Sequence, residues 1–236
     1  MSKPKGKPII KVDKVSKEFG SLTVLKDVGF NIYPREFLFL IGPSGAGKTT
    51  LFRLLTREIT PTEGEILFND MEVSGKLSGR QLCELRRRVG RVFQDLKLIE
   101  DKTVEENIRL VFDILKIDRK GIAEESERLL GLVGLNERSN LFPSQLAEGE
   151  KQRVGVARAL VGQPDVLLVD EPTSNLDPAT SWQIIKMLQD INNKGTAVVI
   201  ATHDEDIVSS LTARVIEINK GELVRDEKKG KYQSNQ

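Results

Sequence analysis

The sequence predicts an α/β fold in which helices cover a largely parallel sheet, an antiparallel β subdomain precedes that sheet, and a helical subdomain is inserted into it. Apolar residues alternate through 9–33, a pattern typical of half-buried strands in an antiparallel sheet. Strands and helices alternate from 165 to 211, and this order favours a parallel sheet covered on both faces. Between these stretches, the middle third of the chain follows a mostly helical pattern.

The individual elements follow from the same patterns in chain order. The first hairpin turns near Gly20, and the wholly apolar run FLFLI at 37–41 predicts a buried strand. A Gly-rich loop and a helix come next, with Leu51, Leu54 and Leu55 on one helical face. Further helices are predicted at 81–88, 104–116, 122–133, 149–160, 178–192 and 205–211, and further strands at 65–70, 88–93, 165–170 and 196–202, with a closing hairpin at 214–224.

These elements fit a single nucleotide-binding domain that spans the whole chain. A chain of 236 residues is long enough to bury one core and a small satellite subdomain. We expect the core lobe at about 8–93 and 154–225, and the helical subdomain at about 94–153. The tails, 1–7 and 226–236, are polar and charged, so we expect them to be flexible.

Charge and hydropathy exclude several classes of protein. Lys and Arg number 36 against 35 Asp and Glu, so the net charge of +1 gives no sign of a general nucleic-acid binder. The longest apolar runs fall far short of the roughly twenty residues that a membrane-spanning helix needs. The basic start MSKPKGKP lacks the apolar region of a secretory signal. The single Cys83 rules out an intrachain disulfide and fits a reducing compartment, so we expect a cytoplasmic protein.

The first chemical motif is GPSGAGKTT at 42–50, which matches the phosphate-loop pattern G-x-x-x-x-G-K-[ST] between a predicted strand and helix. Its glycines let backbone N–H groups curl around phosphates, and the helix N-terminus adds partial positive charge. In this pattern Lys48 reaches the β and γ phosphates, and the Thr49 hydroxyl binds Mg²⁺. The predicted binding residues are Gly42, Pro43, Ser44, Gly45, Ala46, Gly47, Lys48, Thr49 and Thr50.

The second motif is VLLVDEP at 166–172, an apolar strand that ends in two carboxylates. Ligands of open α/β sheets bind outside the carboxyl ends of the strands, which is where these acids emerge. We expect Asp170 to hold the shell of the Mg²⁺ ion. Glu171 is placed to orient or deprotonate the attacking water, and is the expected catalytic base.

With these motifs in this order, the chain resembles the ATP-binding subunits of ABC transporters over nearly its whole length. The resemblance implies an ATPase that uses ATP and Mg²⁺. It implies that Phe19 stacks on adenine, with a strand residue packed inward as the competing interpretation. It further implies that Gln94 in VFQD contacts Mg²⁺ and the attacking water, and that Asp177 in SNLD couples the two sites of a dimer. His203 in ATHD corresponds to a histidine that contacts the γ-phosphate.

The stretch LAEGE at 146–150 corresponds to the family's signature motif, usually LSGGQ, and departs from it at two positions. The resemblance implies that this motif binds the γ-phosphate across the two-fold interface of a homodimer, through Ala147, Glu148 and Gly149 here. Ala147 removes a hydroxyl donor, and Glu148 adds a negative charge beside a polyphosphate. We therefore expect a genuine signature that supports ATP-driven dimerisation more weakly than the usual one.

Within the family, the frame LRRRVGRVFQDLKLIEDKTVEENI, together with ATHD, most closely resembles the ATPases of cell division. The resemblance implies an FtsX-like integral membrane subunit as partner, and a peripheral position at the inner face of the cell membrane. In that system ATP cycling transmits a mechanical signal that controls peptidoglycan hydrolysis. ATPase subunits of lipoprotein-release and macrolide-efflux exporters share much of the frame and are the alternatives.

The loop after Gln94 leaves two interpretations open. Leu96, Leu98 and Ile99 lie on a predicted loop, where exposed apolar residues suggest a groove for a helix of the membrane partner. The competing interpretation is that they close the small core of the helical subdomain.

Two other functions also stay open. The arginines at 86–88 and 91 could form the nucleic-acid patch of a soluble ABC ATPase, whereas a solvated helix face or subunit contact is the simpler interpretation. A regulatory ATP binder that no longer turns over is favoured by Ala147 and Glu148. Glu171 and His203 argue against it.

Overall fold

The computed structural model describes residues 6–117 and 121–230. The tails 1–5 and 231–236, for which flexibility was expected, lie outside the described residues. In chain order the strands are β1 (Ile10–Phe19), β2 (Leu22–Ile32), β3 (Phe37–Ile41), β4 (Glu63–Phe68), β5 (Met71–Glu72), β6 (Val89–Val92), β7 (Val166–Asp170), β8 (Ala197–Ala201), β9 (Ala213–Asn219) and β10 (Glu222–Gly230). The helices are α1 (Lys48–Leu55), α2 (Gly79–Arg88), α3 (Val104–Ile114), α4 (Ile122–Val133), α5 (Glu148–Leu160), α6 (Pro178–Asn193) and α7 (Glu205–Ser210).

The strands form two sheets. A four-stranded antiparallel sheet has the order β2-β1-β4-β5, and a six-stranded sheet has the order β10-β9-β3-β8-β7-β6. In the larger sheet, β9, β3, β8, β7 and β6 are parallel, and the edge strand β10 is antiparallel to β9. The predicted α/β class with an antiparallel subdomain and an inserted set of helices is confirmed.

The central strands are apolar throughout because both faces of the parallel sheet are covered. In β3, Phe39 faces a core that it shares with α3, α4, α5 and α6. Leu38 and Leu40 face the opposite core, which lies under the antiparallel sheet and includes the predicted leucine face of α1. Helices therefore fill one side of the sheet, and the antiparallel sheet with α1 fills the other.

The helical subdomain is built on α3, α4 and the start of α5. The hydroxyl of Thr103 accepts a hydrogen bond from the backbone N–H of Glu106, and the Glu106 carboxylate accepts one from the N–H of Thr103, so α3 begins with a capping box. Helix α5 runs without a break from 148 to 160. The expected boundary between 153 and 154 thus falls inside this helix, which links the two lobes.

The loop after Gln94 is partly buried and held by contacts within the chain. Leu96 and Leu98 pack against the core cluster of the helical side. Buried Asn107 holds the loop in place: its amide donates to the Ile99 oxygen at 3.0 Å, and its side-chain oxygen accepts from the Ile99 N–H at 2.9 Å. This packing supports the interpretation that Leu96 and Leu98 help to close a core. Both leucines are only partly buried, so the groove for a membrane partner stays a prediction.

Three of the four arginines cited for a nucleic-acid patch are engaged within the chain. The Arg87 guanidinium donates to the carbonyl oxygens of Leu115 and Lys116, each at 2.7 Å. Arg88 pairs with Asp165. Arg91 lies in β6 rather than on a helix face, and its side chain is only 7% exposed. Arg91 is therefore unavailable to a surface patch, and Arg87 and Arg88 have partners within the chain, which supports the simpler interpretation of the arginines.

The expectation that the chain becomes flexible at 226 is wrong for residues 226–230, which continue strand β10. The Arg214 guanidinium of β9 holds Asp226 with two hydrogen bonds of 2.7 Å. Arg225 makes a 2.9 Å bond to Glu217 on the same neighbouring strand. Cross-strand ion pairs and backbone pairing thus order a segment whose polar composition alone suggested a frayed end.

We expect Gly90→Ala to lower the free energy of unfolding by about 1–3 kcal/mol, the usual cost of forcing atoms into a packed interior. A Cβ at this position in β6 would lie 2.2 Å from the carbonyl oxygen of Ala159 in α5. The matched control is Gly79→Ala, where a Cβ meets nothing within 4 Å. Urea unfolding of both variants checks the expectation, and equal stabilities would contradict it.

Candidate functional site

The phosphate loop joins β3 to α1 and is held by close contacts that only glycine permits. A Cβ on Gly42, whose φ is 146°, would lie 2.0 Å from the carbonyl oxygen of Ile218 in β9. A Cβ on Gly47, at φ 108°, would lie 2.6 Å from a methyl group of Leu25 in β2. Helix α1 then begins at Lys48 without a side-chain cap. The uncapped N–H groups of its first turn are therefore available to an anion.

Lys48 is buried in the loop that precedes it. Its ammonium group donates to the carbonyl oxygens of Gly42 at 2.7 Å and Pro43 at 3.3 Å. The same nitrogen lies 3.7 Å from a carboxylate oxygen of Glu171. A flexible four-carbon stem connects this charge to the loop, so the ammonium group can turn from these oxygens to a phosphate.

All the predicted phosphate-loop residues except Gly42 line one cavity of about 610 Å³. Two residues that the sequence did not single out, Val24 of β2 and Glu205 of α7, also line it; no motif marks Val24, whereas Glu205 stands two positions after the motif histidine. The lining residues are Val24, Pro43, Ser44, Gly45, Ala46, Gly47, Lys48, Thr49, Thr50, Gln94, Glu171, His203 and Glu205.

Asp170 lies at the carboxyl end of β7, beside the start of α1. The Thr49 hydroxyl donates to one of its carboxylate oxygens at 3.3 Å. Burial raises the pKa of Asp170, whereas the Thr49 hydrogen bond and the positive charge of Arg91 lower it. A hydroxyl and a carboxylate supply the hard oxygen ligands that Mg²⁺ prefers. The two residues fit a Mg²⁺ ion that takes its other ligands from phosphate oxygens and water.

Among residues 6–117 and 121–230, no three His, Cys, Asp or Glu side chains come together as a metal-binding group.

The backbone and the side chains of Lys48 and His203 position Glu171. The residue has a left-handed backbone, with φ 47°, which is uncommon outside glycine. Its N–H donates to the Ala201 oxygen at 2.8 Å, and its carbonyl oxygen accepts from the Ser174 hydroxyl at 2.9 Å. The carboxylate thereby lies between the Lys48 ammonium and Nδ1 of His203, which is 2.9 Å away. Glu171 thus presents an acceptor to the cavity from a fixed position.

Of two further predicted residues, Gln94 lines the phosphate cavity and Phe19 does not. Gln94 follows β6, is exposed and lines the cavity. Phe19 ends β1 with its ring 44% exposed and the Lys17 ammonium 4.9 Å from the ring centroid. The interpretation of Phe19 as an inward-packed residue is therefore wrong, although the ring does not line the phosphate cavity. Its stacking on adenine stays a prediction.

The loop after Gln94 is attached to helix α5. Leu96 and Lys97 both adopt left-handed backbone conformations, with φ near 50°. The Arg158 guanidinium of α5 donates to the Lys97 oxygen at 2.7 Å. One helical turn earlier, a Cβ on Gly155 would lie 2.9 Å from a Leu96 methyl group, so the helix and the loop are in direct contact.

The signature residues line a second cavity of about 490 Å³. Ala147, Glu148 and Gly149 meet Asp177 there, and Asp177 caps α6 by accepting from the N–H groups of Ala179 and Thr180. A Cβ on Gly149 would lie 2.5 Å from a Thr180 methyl group, so α5 and α6 touch at their first turns. Most of the predicted site residues thus line one of two separate cavities, whereas Phe19, Gly42 and Asp170 line neither.

Carboxylates occupy the N-terminus of α5, where the usual motif has neutral groups. Ala147 is the N-cap and offers no hydroxyl, but Glu150 accepts from its N–H at 3.0 Å and pairs with Arg138. The backbone hydrogen bond from Ala147, aided by Arg138, lowers the pKa of Glu150. Glu148 pairs with Lys151 at 2.7 Å, so part of the added negative charge is balanced locally.

Comparison with known proteins places this arrangement in a family. Residues 25–174 match the family described as ABC transporter. The cell division ATP-binding protein FtsE of Bacillus subtilis (strain 168) is 41% identical over 227 residues, covering 96% of this chain and 99% of that protein. The methionine import ATP-binding protein MetN of Histophilus somni (strain 129Pt) is 38% identical over 232 residues, covering 96% of this chain and 67% of that protein.

A solved structure of an ATP-binding cassette has the same fold as this chain. The dimeric post-hydrolysis state of the ATP-binding cassette MJ0796, bound to ADP and phosphate, superposes with a TM-score of 0.83 at 32% identity, covering 94% of this chain and all of that one. The chain belongs to the ABC transporter family, and it is an ATP-binding ATPase of that family. Within the residues that the structure describes, every helix is too short or too polar to cross a membrane.

We expect Glu150→Gln to lower the free energy of unfolding by less than about 1 kcal/mol at neutral pH, since the ion pair is partly exposed. The pKa of Glu150 is lowered by folding. Its contribution is therefore fully present above the unfolded value of about 4.3, and is lost as pH falls through the folded value. Urea unfolding of both proteins from neutral pH down to about pH 3 tests this; a difference that does not shrink below about pH 4 would contradict it.

Proposed function

We propose that this chain is the ATPase subunit of an FtsEX-type complex of cell division. The observation that carries the proposal is the similarity to FtsE, which extends over 96% of this chain and 99% of the Bacillus subtilis protein. In this proposal the chain lies in the cytoplasm and is held at the membrane by an FtsX-like integral subunit. Nucleotide-driven closure of two copies passes a mechanical signal through that subunit to peptidoglycan hydrolases.

The phosphate cavity supports an assignment of roles within one nucleotide site. The Lys48 ammonium leaves its main-chain oxygens to bind the β and γ phosphates, and the N-terminus of α1 supports the same charge. Thr49, Asp170 and Gln94 hold Mg²⁺, which when bound supplies positive charge against the phosphate oxygens. Phe19 stacks on the adenine ring at the outer end of the site.

Glu171 is the catalytic base of this proposal. Its carboxylate accepts the proton of the attacking water as the water approaches the γ-phosphate. Nδ1 of His203 lies 2.9 Å from that carboxylate, which leaves Nε2 for a γ-phosphate oxygen. In this arrangement His203 steadies the base and contacts the group that is transferred.

The separation of the two cavities supports closure of a dimer. The residues at 147–149 and Asp177 line a cavity that shares no residue with the phosphate cavity of the same chain. Two copies related by a two-fold axis bring each signature cavity onto the partner's phosphate cavity. Ala147 and Glu148 then reduce the attraction for the γ-phosphate, so the closed dimer forms at a higher protein concentration than the usual motif permits.

We expect a tagged Glu171→Gln variant with MgATP to co-purify from detergent-solubilised native membranes with a multi-span protein that carries a large extracellular loop. The matched control is Lys48→Ala, which loses the charge that binds phosphate and should recover less of that protein. Mass spectrometry identifies the partner. Recovery of only soluble or nucleic-acid-associated proteins would contradict the proposal, and recovery of a transporter with a solute-binding protein would favour an import role.

We expect the paired substitutions Ala147→Ser and Glu148→Gly, made in the Glu171→Gln background, to tighten the MgATP-dependent dimer by roughly tenfold or more. A hydrogen bond to a charged group contributes about 1.5–3 kcal/mol, and a repulsive carboxylate is removed as well. Static light scattering across a protein titration measures the midpoint. The same pair in a Lys48→Ala background is the control, and an unchanged midpoint would contradict the expectation.

A further inference from the structure

Arg91 is a buried cation beside the carboxylate at the end of β7. Strand β6 pairs with β7, and Nη2 of Arg91 lies 3.6 Å from the Oδ2 atom of Asp170. The two side chains are only 7% and 2% exposed. The rest of β6 is apolar or glycine, so this charge interrupts a strand whose pattern calls for a hydrophobic residue.

Neighbouring side chains hold Arg91 in place but do not satisfy all of its hydrogen-bond donors. Its Nη1 atom bonds to Glu58, beyond the end of α1, and its guanidinium carbon lies 4.5 Å from the centroid of the Phe93 ring. Its Nε atom is buried without a hydrogen-bond partner. A long side chain with a buried unpaired donor is costly to keep, so a role other than its own packing is indicated.

Two carboxylates and two cations, each with a side chain at most 11% exposed, face each other at this end of the sheet. Lys48 lies 3.7 Å from Glu171, and Arg91 lies 3.6 Å from Asp170. The Lys48 ammonium is free to turn to a phosphate, whereas Arg91 is fixed on two sides. The two oxygens of Asp170 are also distinct: Oδ1 accepts from Thr49, and Oδ2 faces Arg91.

We propose that Arg91 is a positioning residue that acts as a permanent counter-cation for Asp170. It turns Oδ1 toward Thr49 and balances the carboxylate in the absence of metal, so that Mg²⁺ binds appreciably only together with a nucleotide. A triphosphate brings enough negative charge to outweigh the fixed guanidinium, but free Mg²⁺ meets a carboxylate that is already neutralised. The inference rests on the proposed role of Asp170 and Thr49 in holding Mg²⁺.

The first test is thermal unfolding of Arg91→Met in a titration with MgCl₂ alone, with no nucleotide. We expect the half-saturating Mg²⁺ concentration to fall by roughly tenfold relative to the parent, because a competing charge several ångströms away is removed. The gain should vanish in Arg91→Met/Asp170→Asn, which lacks the carboxylate. A response equal to that of the parent, or one that persists without Asp170, would overturn the proposal.

Glu58→Gln is the matched control for a purely structural role. It removes the negative charge of the other partner of Arg91, although the amide oxygen can still accept a hydrogen bond. The Arg91 and Asp170 pair stays in place, so the response to free Mg²⁺ should equal that of the parent. If it matches Arg91→Met instead, loss of packing explains the effect and the proposal fails. Should Arg91→Met not fold, Arg91→Gln gives the same comparison with a neutral polar side chain.

A second measurement separates this inference from the proposed metal site. Binding of a fluorescent ADP analogue is measured with Mg²⁺ and with EDTA. If Asp170→Asn keeps the full Mg²⁺-dependent gain in affinity, the role of Asp170 is wrong and the inference falls with it. If Asp170→Asn loses that gain while Arg91→Met shows no response to free Mg²⁺, only the role of Arg91 is wrong.

Discussion

The parallel pairing of β3, β8, β7 and β6 determines where every group around the phosphate cavity lies. Parallel strands end at the same edge of a sheet, so the segments that follow them meet there. The phosphate loop follows β3, Glu171 follows β7, His203 lies two residues after β8, and Gln94 lies two residues after β6. Residues as far apart as 48 and 203 in sequence thereby surround one cavity, and the two cores on either side of the sheet hold the strands in register.

The same pairing explains why most of the fold could be predicted from sequence. Strands buried on both faces are nearly continuous apolar runs, so FLFLI and the first four residues of VLLVD predict buried strands directly. The phosphate-loop pattern binds phosphate when it lies between a strand and a helix. The strand and the helix predicted on either side of 42–50 therefore identify this loop as the binding site. Both features depend on residues close together in sequence, which is where patterns carry information.

Where prediction failed, contacts distant in sequence were responsible. Residues 226–230 look like a polar tail, but Arg214 of the adjacent strand fixes Asp226 and the segment continues a sheet. Arg91 stands near three other arginines and suggests a charged surface, although the strand buries it against Asp170. The one available signal was its place inside an apolar strand. The sequence pattern does not indicate which side chain a buried charge such as Arg91 will contact.

Helix α5 joins several of these features into one mechanical unit. Its first turn carries the signature residues and touches α6 at Thr180, and its last turns hold the loop after Gln94 through Gly155 and Arg158. A helix of 13 residues is stiff over about 20 Å. A tilt imposed at one end therefore moves the other end, because the helix turns as a rigid body. A force on the signature end of α5 would therefore also move the loop after Gln94, so the two nucleotide contacts proposed for these segments would form or break together.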